Sequence, residues 1–135
     1  MPLFGGHADE ENAKLHAELA RIGALPLQQL GAEVMTRVFG PGGQGEGGGT
    51  VKLQDVAGAF NPAEGSFGID DDALRGMYDV VCEGVQVLEH AGLVRVIMSN
   101  EPRGSILYSW AVPTRLGRAA LDRHSVDSVI AGGGV

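Results

Sequence analysis

Asp70, Asp71 and Asp72 stand in a row, and oxygen donors of this kind suit a hard divalent cation such as magnesium or calcium. Consecutive residues project in different directions, however, and no second acidic cluster is assignable beside them. At the start of a helix the same carboxylates cap it and complement its dipole, each well-placed charge being worth about 0.3–1 kcal/mol. Asp122, His124 and Ser125 supply the residue types of a hydrolytic triad, but neighbours within one helical turn cannot converge on a single reacting atom. His7, His16, His90 and His124 lack metal-ligand spacing and have only Cys82 to join them. Cys82 lies beside an apolar stripe, and Glu83 next to it has the wrong sign to activate a thiol. Gly43, Gly45 and Gly48 match G-x-G-x-x-G, but the run is so rich in glycine that almost any such pattern fits; no strand precedes it, and Lys52 is outside a G-K-[ST] context. No catalytic, cofactor-binding or metal-binding constellation survives these tests, and the expectation is a protein that is not an enzyme.

Hydrophobic periodicity supplies the elements around these residues. Asp9 to Ile22 reads as a helix with Asp9 as its cap and a narrow stripe of Leu15, Leu19 and Ile22, which needs a neighbour in this chain or in a second copy. Pro26 to Phe39 is a second helix, with Pro26 at the first helical position and a core stripe of Leu27, Leu30, Val34 and Val38. Residues 40–49, seven of them glycine, predict a flexible Gly-rich loop. Val51 to Phe60 predicts a short helix capped by Thr50, and Phe67 and Ile69 are expected to tuck the following connector onto the core. Asp70 to Ala91 is the longest helix, buried through Leu74, Met77, Val81, Val85 and Leu88, with Gly92 as its stop. Val94 to Ser99 and Ser105 to Val112 read as strands of a hairpin around NEPRG. Thr114 caps a last helix with Leu116, Ala120 and Leu121 inward, and Val126, Val129 and Ile130 extend it into a tail.

With 135 residues, 1–135 is expected to form one domain, in which 1–24 is a helical extension and 125–135 a tail. No stretch approaches the length of a membrane span, the N-terminus lacks a secretory pattern, and one cysteine excludes an internal disulfide. These features predict a cytoplasmic protein with no membrane partner. The net charge of −7 is uneven: residues 1–93 hold five Lys/Arg against fourteen Asp/Glu, whereas residues 94–135 hold five Arg against three acids. Overall acidity disfavours non-specific nucleic-acid binding and leaves the C-terminal third as the candidate for phosphate contact.

Leu88 to Val94 (LEHAGLV) resembles the "L-x-x-x-G-L-V" exit from a recognition helix, and Tyr108 to Leu121 resembles a wing strand running into "T-x-x-G-x-x-x-L", with Thr114, Gly117 and Leu121 in place. The span from Tyr108 to Thr114 is longer than in the tightest form of the pattern, so Trp110 or Val112 takes the strand-end slot. With the order helix, helix, long helix, hairpin, helix, residues 25–123 resemble the winged helix-turn-helix domains of bacterial PadR- and MarR-type regulators. The resemblance implies a mainly α fold with a small β-hairpin (α+β), here a winged helix with an additional N-terminal helix. It also implies a dimeric, DNA-associated transcriptional regulator.

In DNA readers of this kind the start of the helix before the wing enters the major groove. Here that start carries three aspartates, with Arg75 and Tyr78 as the conventional contacts and Asp79 and Glu83 continuing the negative face. The alternative is therefore an adaptor that uses the scaffold to bind protein. Arg95, Arg103 at the wing tip, and Arg115 and Arg118 on the final helix are the candidate contacts for DNA or an acidic partner. Tyr108 and Trp110 alternate on one strand face, as core cover or as an interface hot spot.

Overall fold

Apolar residues at three- and four-residue spacing make two helices in the first forty residues, α1 (Leu3–Gly23) and α2 (Leu27–Phe39). The computed structural model describes residues 3–65, 68–100 and 107–132. After α2 come β1 (Val51–Lys52), α3 (Leu53–Gly58), α4 (Asp71–His90), β2 (Val94–Asn100), β3 (Leu107–Pro113), α5 (Arg115–Asp122) and α6 (Val126–Ala131). The protein is mainly helical with a small three-stranded antiparallel sheet in the order β1-β3-β2, an α+β arrangement.

The core lies between α2 and α4. Leu30, Val34 and Val38 of α2 and Met77, Val81, Val85 and Leu88 of α4 are all buried. Glycines let the helices approach closely: a Cβ on Gly84 would stand 2.8 Å from Val34, and one on Gly31 would stand 3.1 Å from both Val87 and Ile130. The apolar stripes at the two chain ends are satisfied on different helices. Leu15 and Ile22 are buried as α1 packs on α4, while Val126 is buried and Ile130 reaches Gly31 as α6 packs on α2.

Several expected boundaries move. α1 starts at Leu3, so Asp9 lies well inside the helix, past the orphan amides that a cap would satisfy. Pro26 is the N-cap rather than the first helical residue, its carbonyl accepting from Leu30 N at 2.9 Å. The helix expected over 51–60 divides: Val51 and Lys52 pair with Ala111 and Trp110 as a strand, and α3 begins only at Leu53. The expected two-stranded hairpin is thus a three-stranded sheet. Leu116, expected inward, is 42% exposed, and the tail is a separate helix because His124, at φ 53°, turns the chain after α5. Phe67 lies outside the described residues, whereas Ile69 packs on the core as expected.

Residues 40–49 form consecutive hydrogen-bonded turns. Gly45 N donates to Val38 O at 2.8 Å, satisfying a carbonyl of the last turn of α2. Gly45 is buried, and a Cβ there would stand 2.5 Å from the Phe39 ring. The absence of a side chain lets the Gly45 backbone lie against the core.

The end of α4 is set by a Schellman motif: Leu93 N bonds Leu88 O at 2.8 Å, Gly92 N bonds Glu89 O at 3.0 Å, and Gly92 takes φ 77°. Thr114 then ties α5 to this exit. Its hydroxyl donates to Gly92 O at 2.6 Å and accepts from Gly117 N at 3.0 Å. A Cβ at Gly117 would stand 2.0 Å from Leu93 O, so only glycine fits.

Two substitutions act in opposite directions. Gly117→Ala has no room to relax against backbone and is expected to cost at least about 3 kcal/mol in urea unfolding. His124→Gly removes the left-handed strain at the end of α5, and the same measurement is expected to show a gain of about 0.5–1 kcal/mol.

Candidate nucleic-acid or partner interface

The start of α4 is built partly by α1. Asp70 caps α4, its Oδ1 accepting from Asp72 N at 3.0 Å and Ala73 N at 3.4 Å. Its Oδ2 lies 3.0 Å from His16 Nε2, and its own N–H donates to Asn12 Oδ1 at 2.8 Å. Asn12 Nδ2 in turn donates to Gly68 O at 2.9 Å. The preceding residue, Glu11, only 3% exposed, accepts from Glu64 N at 2.7 Å and from Lys14 Nζ at 2.9 Å. The face of α1 bearing Glu11, Asn12 and His16 therefore clamps the connector that leads into α4. The amide of Ala73, with those of Asp72 and the His16 ring, holds the Asp70 carboxyl below its ordinary range. Sequence reasoning missed this clamp. Its one trace was Glu11, which falls four residues before Leu15 on the buried stripe, where a carboxylate needs a partner.

Beyond the cap, α4 turns an acidic face outward. Asp71, Asp72, Asp79, Glu83 and Glu89 are all exposed. Arg75 is exposed among them, 3.8 Å from Asp72, a separation and setting in which the pair adds little. Tyr78 is at the edge of exposure and, with Asp71, Leu74, Arg75 and Asp79, lines a shallow groove of about 440 Å³. Burial pushes both the Tyr78 hydroxyl and the half-buried Cys82 thiol above their usual ranges, so Cys82 is a poor thiolate former.

The candidate arginines among the described residues are spread over different elements. Arg95 is exposed on β2, Arg115 is the exposed first residue of α5, and Arg103 lies outside the described residues. Arg118 turns towards the glycine run: a Cβ on Gly48 would stand 2.9 Å from its Nη1. There it lines an open cleft of about 590 Å³ together with Phe39, Asp122, His124 and Asp127.

A different cation joins the aromatics. Lys52 Nζ lies 4.2 Å from the Tyr108 ring centroid and 5.3 Å from that of Trp110, the cross-strand partner of its residue. Ala111, between these aromatics' neighbours, is fully buried, so Lys52, Tyr108 and Trp110 occupy the opposite, outer face with Arg95 and Ile97. Trp110 Nε1 is shielded from solvent and meets no acceptor among the described residues. Lys52 escaped sequence reasoning because only the β1–β3 register places it there.

Among the described residues no group of His, Cys, Asp or Glu could hold a metal ion, and no helix is long and apolar enough to cross a membrane. Comparison with protein-family models, curated proteins and solved structures finds no match to this chain.

The clamp gives a pH-dependent outcome. The Asp70 carboxyl is depressed in the folded protein, so its contribution to stability is complete above the unfolded carboxylate range and is lost as pH falls through the lower folded value. Asp70→Ala is therefore expected to unfold at lower urea concentration than wild type at neutral pH. The difference should shrink once the pH lies well below the ordinary carboxylate range of about 4. A gap that persists unchanged in acid would assign the loss to something other than the charged cap.

Proposed function

We propose that this chain is a winged-helix adaptor, a protein-interaction module whose long helix presents acid to a basic partner instead of entering a DNA groove. The winged-helix assignment is supported by the succession of α2, α3, α4, the β2–β3 hairpin and α5, and by the hydrogen bonds that hold the hairpin between α4 and α5. One observation carries the functional choice: the outward face of α4 bears five exposed carboxylates against Arg75 alone. A duplex carries one negative charge per about 1.7 Å of axis, so inserting this face would bring like charges together along the whole contact. A basic protein surface meets the opposite situation and gains in both encounter rate and register.

A second reading, a DNA-associated transcriptional regulator, is favoured by the outer face of the sheet. Lys52 and Arg95 share that face with Tyr108 and Trp110, and Arg115 follows β3 after the Thr114 cap. In this reading phosphate is met by sheet and wing, with Arg103 as a further contact, and α4 stays out of the groove.

Fluorescence anisotropy with a mixed-sequence duplex at low salt separates the two. The adaptor is expected to show no salt-sensitive DNA binding, while a lysine-rich peptide probe binds and loses affinity when Asp71, Asp72 and Asp79 are all changed to Asn. DNA binding whose log affinity falls with log salt at about −0.9 per phosphate neutralised, and which Arg95→Ala with Arg115→Ala abolishes, would overturn the adaptor in favour of the regulator.

A further inference from the structure

Among the described residues β2 is an edge strand with little of the usual protection. In the sheet order of the described residues it stands outermost, paired only with β3, and the seven-residue pairing from Val94↔Pro113 to Asn100↔Leu107 is continuous, with no bulge. β2 contains no proline or glycine, and Arg95 is its only charged residue. The opposite edge, β1, is just two residues long and runs straight into α3. Natural sheets blunt exposed edges by shortness, proline, bulges or charge; β1 follows that rule and β2 does not. The residues at the middle of this edge are also apolar and uncovered: Ile97 is 39% exposed on the outer face and Met98 is 64% exposed on the other.

We propose that the β2 edge pairs antiparallel with the β2 edge of a second copy of this chain, about a two-fold axis at Ile97, joining two three-stranded sheets into one. The edge is its own complement in this register. Ile97 faces Ile97 of the second copy, so the exposed outer-face side chains cover each other. Val96 faces Met98 of the second copy, which gives the most exposed methionine an apolar neighbour on the inner face. Arg95 faces Ser99 of the second copy, so no like charges are opposed along the strand. A one-residue slip would exchange the two faces and lose these matches. The surface uses none of the acidic residues of α4 and none of the terminal helices, whose apolar stripes are buried in, or packed on, the core of one chain. The proposal does not depend on which of the two functional readings holds.

A seven-residue strand pair is a small interface, and each copy carries a net charge of −7, so the dimer forms in a concentration-dependent way and strengthens as salt screens the repulsion. This salt response is opposite in sign to that of phosphate binding.

Sedimentation velocity of the full chain over a range of concentrations tests the proposal. Wild type is expected to move from monomer to dimer, more readily at high salt. Ile97→Lys and Ile97→Glu should each remain monomeric with an unchanged circular dichroism spectrum, since the side chain is already partly exposed. Mixing these two variants should restore a dimer, because the axis places the new lysine opposite the new glutamate. Ile97→Cys in a Cys82→Ser background should cross-link on oxidation, as residues facing across such an axis lie within disulfide reach. A monomer at every concentration up to about 1 mM would overturn the proposal. A wild-type dimer that survives Ile97→Lys, or a Lys/Glu mixture that stays monomeric, would overturn it equally.

Discussion

The carbonyl of Leu93 is the point on which the arrangement of the C-terminal half depends. Gly92 adopts φ 77°, which turns Leu93 back so that its N–H bonds Leu88 O and its side chain is buried completely. The carbonyl of the same residue accepts from Thr114 N at 2.9 Å and has the bare Cα of Gly117 against it. The end of a helix, the first residue before a strand and the first turn of another helix thus meet at one peptide group. With Leu93 fixed, Val94 must pair with Pro113, and the whole β2–β3 register follows. Each hydrogen bond here contributes only about 1 kcal/mol net. The geometry is nevertheless exclusive, because the bonds share atoms and no other residue fits at Gly117.

A second constraint is where the positive charge goes. Glu18 of α1 accepts from Arg21 at 2.6 and 3.1 Å and from Arg37 of α2 at 3.2 Å, and Arg21 also reaches Glu33 at 3.1 Å. Hydrogen bonds from Arg21 first, and from Arg37, draw the Glu18 carboxyl below its usual range against the effect of burial. Arg37 stacks over the Phe60 ring at 4.3 Å, linking α2 to the chain two residues beyond α3. Half-exposed pairs of this kind are individually weak, but the network orients α1 on α2. It also engages two of the five cations of residues 1–93, Arg21 and Arg37, internally. The acids of α4 are left facing outward with little compensation, and that imbalance, more than any single residue, sets what the surface can bind.

The edges of the small sheet follow from the same economy of length. β1 ends after two residues because Leu53 begins a helix, whereas β2 runs as far as its partner β3 allows. One edge is closed by local sequence, and the other is left open among the described residues. The outer face between them carries Lys52 against two aromatic rings, a surface suited to contact rather than to core packing.

Much of this architecture was legible in the residues themselves. The stripe from Leu74 to Leu88, the Gly92 stop, the Thr114 cap and the hairpin are written in local spacing, because a helix period, a left-handed turn and a cap each involve residues within a few positions of one another. The acidity of the first turns of α4 was equally plain. Only the tertiary structure decided what depends on distant segments meeting. Asn12 and His16 hold Asp70 across more than fifty residues, and nothing local distinguishes them from solvated polar groups. Val51 and Lys52 became a strand because β3 offered them an edge, overriding the helical reading of 51–60. Gly45 became core because Phe39 and Val51 close over it, although composition alone gave a loop. Arg118 stands beside the glycine run, next to Gly48, a placement that only the packing of α5 against residues 40–49 creates. Local sequence determines the elements through short-range sterics and periodicity; which surfaces remain for function is decided by long-range contacts that no single segment encodes.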